Sequence, residues 1–294
     1  MRAFATLGSI AQTISSHPLT RGRQAATWLK FASWVISSRL QRELTEPWIE
    51  GQRLVVRRGM TGATGNVYFG LYEFMSMMLT LHFLRGEDLF FDIGANVGTY
   101  TVLASGIARA QTWAFEPDEE AGRDLVRNIE INGLGSLVTL HAVALGRTDG
   151  EVSFTLGDGA MNRVATAEDK ATHMVLQRAL DSVAMGRAPA MIKVDVEGYE
   201  EPVMLGARKT LANPALKVIS LEGTPPVVLQ LLADNGFGRA FYDPFTRKLT
   251  REPNQLAYAD GKWTISNEFY VRDWPFVENR LATARPIEVF GRKI

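Results

Sequence analysis

Between residues 89 and 222 short apolar runs alternate with segments of helical periodicity, and this alternation constrains the chain more than any other feature. Residues 89–93, 112–115, 138–145, 190–196 and 216–221 read as strands. Residues 99–109, 118–132 and 200–211 read as helices, the second with Asp118 at its start and Asn132-Gly133 at its stop. Strands that alternate with helices need a parallel sheet covered on both faces. Right-handed crossovers then give an α/β, doubly wound, mostly parallel arrangement. A helix at 226–234 and strands at 239–242 and 268–271 bring the sheet to seven strands. No clear helix joins the last two, which predicts a hairpin with one antiparallel strand at the sheet edge. Residues 151–156 alternate after the Asp149-Gly150 turn and predict an added strand, whereas 158–172 are polar and carry no readable period.

The sheet domain is expected over 65–294, preceded by a helical and irregular extension over 1–64. The first 42 residues contain six basic residues and no acidic one, with Trp28, Phe31, Ala32, Val35, Ile36 and Leu40 at roughly helical spacing. The simplest reading is a helix packed on the main domain. The second is peripheral contact with an anionic membrane through residues 1–42. Arg residues and His17-Pro18 interrupt any signal-peptide core. No stretch approaches 18 apolar residues, so no membrane-spanning helix is expected and a cytoplasmic protein is. Lys plus Arg equals Asp plus Glu, 32 to 32, which removes the electrostatic case for a nucleic-acid partner. The chain has no Cys, which excludes disulfides, thiolate metal sites and cysteine nucleophiles.

In doubly wound sheets ligands bind beyond the carboxyl ends of the strands. The first such end is Asp92-Ile-Gly94-Ala-Asn96-Val-Gly98. Its glycines permit a tight turn and close approach of a ligand to the backbone. It is not a pyrophosphate fingerprint, because Asn96 stands where the second glycine would be needed, and it suits a nucleoside without a pyrophosphate. The second strand ends in Phe115-Glu116-Pro117; a carboxylate there can accept bonds from both ribose hydroxyls, or can be a helix-initiating acid. The fourth gives Asp195-Val-Glu197, two carboxylates on one side of an extended strand, and the fifth ends in Glu222. Asp195, then Glu197, are the candidates for taking a proton from a hydroxyl, or for holding a cation that assists. No His and no further strand-end Asp or Asn completes a ligand set, so no metal is expected. His141 is expected early in its strand, away from the carboxyl end.

FDIGANVGTYT, AFEPD and IKVDVEGYE, in this order and at these distances, resemble the FkbM-type family of class I S-adenosylmethionine-dependent methyltransferases. The upstream segment from Asn66 to Glu73, the His141-to-Gly146 segment and Leu180-Asp181 are similar to further segments of that family. The resemblance implies O-methylation of a hydroxyl on a sugar, glycan or secondary metabolite. It implies that Asp92, Gly94, Asn96 and Gly98 hold the methionine part of the S-adenosylmethionine cofactor, Glu116 its ribose, and Ala142 with its neighbours to Leu145 its adenine. Acceptor contacts are expected from Tyr68, Tyr72, Glu73, Met161, Asn162 and Glu222. The rival functions are methylation of an amine or nucleobase nitrogen, nicotinamide-dependent oxidoreduction, and cofactor binding without catalysis in a biosynthetic complex.

Overall fold

The structure is a computed structural model that describes residues 7–155, 162–166, 168–169, 171–252 and 267–294. Two helices, α1 (Leu7–Ser16) and α2 (Gln24–Leu40), lead into a hairpin of β1 (Leu44–Pro47) and β2 (Arg53–Val56). Helices α3 (Thr61–Phe69) and α4 (Phe74–Phe83) follow. Every residue of α4 is buried, as its run Phe-Met-Ser-Met-Met-Leu-Thr-Leu-His-Phe demands.

The central sheet begins at β3 (Leu89–Ile93), followed by α5 (Thr99–Val102), whose end widens into a π-turn over Leu103–Ile107. Then come β4 (Gln111–Phe115), α6 (Glu119–Ile131) and β5 (Val138–His141). A side sheet is formed by β6 (Ala144–Gly146), β7 (Gly150–Thr155) and β8 (Thr172–Ala179), in the order β6-β8-β7. After α7 (Leu180–Ala184), the chain returns as β9 (Met191–Val194), α8 (Glu200–Leu205), α9 (Arg208–Ala212), β10 (Val218–Leu221) and α10 (Pro226–Asp234). It closes with β11 (Gly238–Asp243), β12 (Lys248–Thr250), β13 (Glu268–Val271) and α11 (Trp274–Ala282), before a short terminal ribbon. The main sheet runs β12-β11-β13-β10-β9-β3-β4-β5, with β5, β4, β3, β9 and β10 parallel. Adjacent residues of β3 feed opposite layers: Phe90 packs with Phe74, Met78 and Phe83, while Phe91 packs with Phe115, Ile192 and Ile219.

The doubly wound architecture is as expected, with three differences. First, the antiparallel strand β13 lies between β10 and β11, not at the edge. Phe269, Tyr270 and Val271 are all buried, so this strand needs neighbours on both sides. The edge is the short β12, an eighth strand whose Lys248 is exposed. Second, the apolar run at 138–145 is two strands: β5 ends at His141, and β6 leaves for the side sheet. His141 is therefore at a strand's carboxyl end, not early in it. Third, β8 was hidden by its polar residues Thr172, His173, Gln177 and Arg178, although its burial roughly alternates.

The proposed division at residue 64 falls inside α3, and Val67 of that helix shares a cluster with Leu54 and Val56 of β2 and Leu125 of α6. The extension and the sheet are thus joined through one apolar layer.

Candidate active site

Two strand-end loops meet across the sheet. The Asp195 N–H donates to the Ile93 carbonyl at 3.0 Å, and Gly94 sits at φ +72° with its Cα against the Asp195 backbone. A Cβ on Gly94 would lie 1.9 Å from the Asp195 carbonyl oxygen, so only glycine fits. The N–H groups of Gly94 and Ala95 both donate to the Phe115 carbonyl at 3.0 Å. Asn96 follows at φ +51° and points its N–H at Glu116 Oε2, 2.7 Å away.

Glu116 is 7% exposed and lines the cleft. Its second oxygen accepts the Asp118 N–H at 2.8 Å. The cap of α6 is supplied by Asp118, which accepts from the Ala121 N–H at 2.8 Å, so the helix start does not need Glu116. Burial pushes the Glu116 carboxyl up to about 7, against the two backbone N–H bonds that favour its charge.

Across the loop, a lysine holds the acids together. Lys193 of β9 is 3% exposed; its Nζ lies 3.0 Å from Asp195 Oδ2 and 3.9 Å from Asp92 Oδ1, and 4.7 Å from the centre of the Tyr100 ring. Burial disfavours its charge, but the carboxylates of Asp195, Asp92 and Glu73 outweigh that and hold its pKa above the ordinary lysine value. Burial would raise Asp195, yet Lys193 and a hydrogen bond with Glu222 bring it below the usual carboxylate range. Glu222 moves the opposite way, through desolvation and the negative charge of Asp195, so Glu222 carries the proton of that bond. Glu197 is also raised, by desolvation first and then by the charges of Asp195 and Glu200. It sits at φ +52°, an uncommon backbone conformation for a glutamate. Glu73 is raised by burial and accepts the Tyr100 hydroxyl at 2.5 Å.

The cleft around these groups opens to solvent, and the space within and above it amounts to about 930 Å³. It brings together Gly94, Asn96, Glu116, Glu73, Asn162, Asp195 and Glu197 of the residues expected from the sequence. Asn162 is held there by a 2.9 Å bond to Asp118 Oδ2.

The other expected residues that the structure describes do not line the cleft. Asp92 is fully buried behind the loop, where it accepts the Thr101 hydroxyl at 2.7 Å and faces Lys193. Gly98, at φ +84°, is needed for packing: a Cβ would lie 2.1 Å from Leu125 Cδ1. Ala142 is passed over in favour of Val143, Ala144 and Leu145. Tyr72 packs over Gly65 and Phe69, and Tyr68 against Phe31 and Trp34. Glu222 is not part of the cleft lining and is joined to it by its hydrogen bond with Asp195. Met161 lies outside the described residues. His141 stacks on Phe115 at 4.8 Å and stays out of the cleft despite its strand-end position.

Lys193 and Tyr100 were not anticipated as site residues. The available signal for Lys193 was a lone cation two residues before Asp195 in an otherwise apolar strand, which places both on one face.

Asp195, Glu197 and Glu222 offer oxygens that all lie within 4.8 Å of one another, close enough to share a cation. The Lys193 ammonium already supplies positive charge to Asp195.

A parallel sheet with a glycine turn and an acid at successive strand ends gathers ligand-accessible groups beyond the carboxyl ends of its strands. The methyltransferase FkbM domain matches residues 92–238, half of the sequence, and the chain belongs to this family of methyltransferases. A relative, the hexuronic acid methyltransferase AglP of Haloferax volcanii, is 26% identical over 161 residues, which cover 53% of this chain and 66% of AglP. The crystal structure of an FkbM methyltransferase from Methylobacillus flagellatus aligns over 84% of this chain and 60% of its own, with 16% identity and a TM-score of 0.42. A precorrin-6y C5,15-methyltransferase from Geobacter metallireducens aligns over 68% of this chain and 87% of its own, with 12% identity and a TM-score of 0.38.

Proposed function

We propose that the protein is an S-adenosylmethionine-dependent O-methyltransferase that acts on a hydroxyl of an acidic sugar or glycan. The observation that carries this is Glu116. It is buried and cleft-lining, it is not used to cap α6, and its two backbone partners leave further lone pairs for a ribose diol. The fit extends along the cleft. The backbone from Gly94 to Asn96 would border the amino-acid part, and Val143 to Leu145 offer an apolar wall for the base. When bound, the cofactor supplies a methyl group already activated on a sulfonium. The chain's own residues must then orient an acceptor oxygen and take its proton.

The site is suited to a hydroxyl acceptor. Glu73, Asp195 and Glu197 surround the reacting region, and a carboxylate acceptor would meet like charge there. Asp195, held low by Lys193, is a good hydrogen-bond acceptor for orienting the hydroxyl and a weak base. Glu197, with its raised pKa, is better matched to receive the proton, which reverses the order expected from sequence. The resemblance to a hexuronic acid methyltransferase supports an acidic sugar. Arg163 lines the same cleft near Glu197, fixed by Asp169 at 2.7 Å, and can face the sugar's own carboxylate.

Calorimetry tests the cofactor part. S-adenosylmethionine should bind the wild type and not be replaced by NAD. Glu116→Ala should remain folded and lose about 1–3 kcal/mol of affinity. Unchanged affinity in that variant would remove Glu116 from the cofactor site.

A further inference from the structure

We infer that the outward face of α2 docks the protein on an anionic membrane surface. This helix has two sides. Thr27 and Ser38 are buried, and Phe31 and Trp34 seat the helix on Tyr68 of α3, with ring centres at 5.3 and 6.1 Å. On the opposite side Ala25, Leu29, Ala32, Ile36 and Leu40 recur at helical spacing and face solvent. Leu29 is 73% exposed, Ile36 60% and Leu40 80%. Three such residues in one line on a 17-residue helix form an apolar stripe that the fold does not cover.

Charge selects the occupant. Residues 7–42 contain no acidic side chain, and Arg21, Arg39 and Arg42 are exposed along or beside the stripe. At its far end Arg39, Leu40 and Arg42 share one surface depression with Arg57 and the exposed Arg58. A second copy of the chain is disfavoured: cations stand at both ends of the helix, so a two-fold pairing of this face in either direction sets like charges together. An anionic bilayer satisfies both parts, with arginines among headgroups and the leucine and isoleucine side chains at the acyl boundary.

The depression formed by Arg57, Arg58 and Met60 continues to Asn96 and Val97, which rim the cleft, and its other wall carries Asp118, Glu120 and Asp124, of which the last two pair with Arg57 and leave Arg58 as its exposed cation. The inference rests on the α2 face and not on the reaction assigned to the cleft.

Vesicle flotation with the 294-residue chain tests it. Wild type should float with phosphatidylcholine vesicles that contain about a third phosphatidylglycerol, and not with pure phosphatidylcholine; high salt should release it. Leu29→Ser/Ile36→Ser/Leu40→Ser changes only exposed positions and should melt like wild type, while its partitioning falls by at least about tenfold. Arg39→Gln/Arg42→Gln should lose roughly fivefold per cation. Absence of wild-type flotation, equal flotation on neutral vesicles, or unchanged flotation of the triple variant would overturn the inference. So would a wild-type dimer that becomes monomeric in the triple variant, since that assigns the stripe to a second copy.

Discussion

Replacing Lys193 by Met removes one ammonium and leaves the methylene stem, so the loss falls on charge and not on packing. The ammonium stands 3.0 Å from Asp195 and 3.9 Å from Asp92, with its side chain only 4% exposed. At an effective dielectric of about 20, the gross attractions are about 5.5 and 4 kcal/mol. Desolvation of the three groups offsets much of that, and removal of one partner of a buried pair typically costs about 3–5 kcal/mol. For a chain of this size that is a fall in Tm of roughly 5–8 °C.

The pH dependence carries a sign. The Lys193 pKa is raised above its ordinary 10.5, so its stabilisation is whole at neutral pH and is lost only as pH climbs through that raised value. Asp195 is lowered from 3.8, so its share is present above that value and is lost as pH falls below it. In Lys193→Met, Asp92 and Asp195 lose their counter-charge and protonate more readily. The deficit relative to wild type should therefore shrink between pH 8 and pH 5. Differential scanning calorimetry at both pH values reads this directly. A variant that melts within 2 °C of wild type at pH 8, or a deficit that grows on acidification, would refute the reasoning.

Cofactor affinity should rise with pH through about 7 and level off above, because ionised Glu116 is the better acceptor for ribose hydroxyls; a flat calorimetric profile from pH 6 to 8 would contradict this. Gly94→Ala should abolish cofactor binding and cost at least about 1–2 kcal/mol from the left-handed backbone alone, read by calorimetry and urea unfolding, because its Cβ would meet the Asp195 carbonyl at 1.9 Å. Glu197→Gln should keep cofactor affinity and lose roughly 10²–10⁴ in kcat. Asp195→Asn should lower kcat less than Glu197→Gln does; the reverse order in steady-state assays would return the proton to Asp195. EDTA should leave wild-type turnover unchanged, and inhibition reversed by Mg²⁺ would assign the three acids to a cation.

The parts of the fold that were legible in the sequence are those where one period dominates. Strands β3, β4, β9 and β10 are apolar on both faces and bounded by turn residues, so their strand ends, and with them Gly94, Glu116 and Asp195, could be located. What escaped depends on long-range partners. The run at 138–145 holds no Gly, Pro, Asn or Asp to mark that the chain changes sheets after His141. The place of β13 inside the sheet is decided by its burial against β10 and β11. Asp92 and Gly98 sit in the same motif as Gly94 and Asn96, yet one faces Lys193 from behind the loop and the other meets Leu125 of α6. Spacing along a loop does not say which side of the sheet a residue serves. Asp195 and Glu197 are told apart for a related reason: two carboxylates side by side suggest mutual elevation, whereas the lysine on the same strand face and the hydrogen bond with Glu222 lower Asp195.

The central claim is methyl transfer to a hydroxyl, and the chemistry of the product tests it most directly. The protein is incubated with S-adenosylmethionine labelled in its methyl group and with hexuronate-containing glycans, and the product is treated with mild alkali. A methyl ether survives that treatment and a methyl ester does not. The account predicts alkali-stable label on the sugar, lost in Glu197→Gln. Label released by alkali would place the methyl on a carboxylate, and label on nitrogen, or none transferred to any sugar while the cofactor binds, would contradict the assignment of this acid-lined cleft.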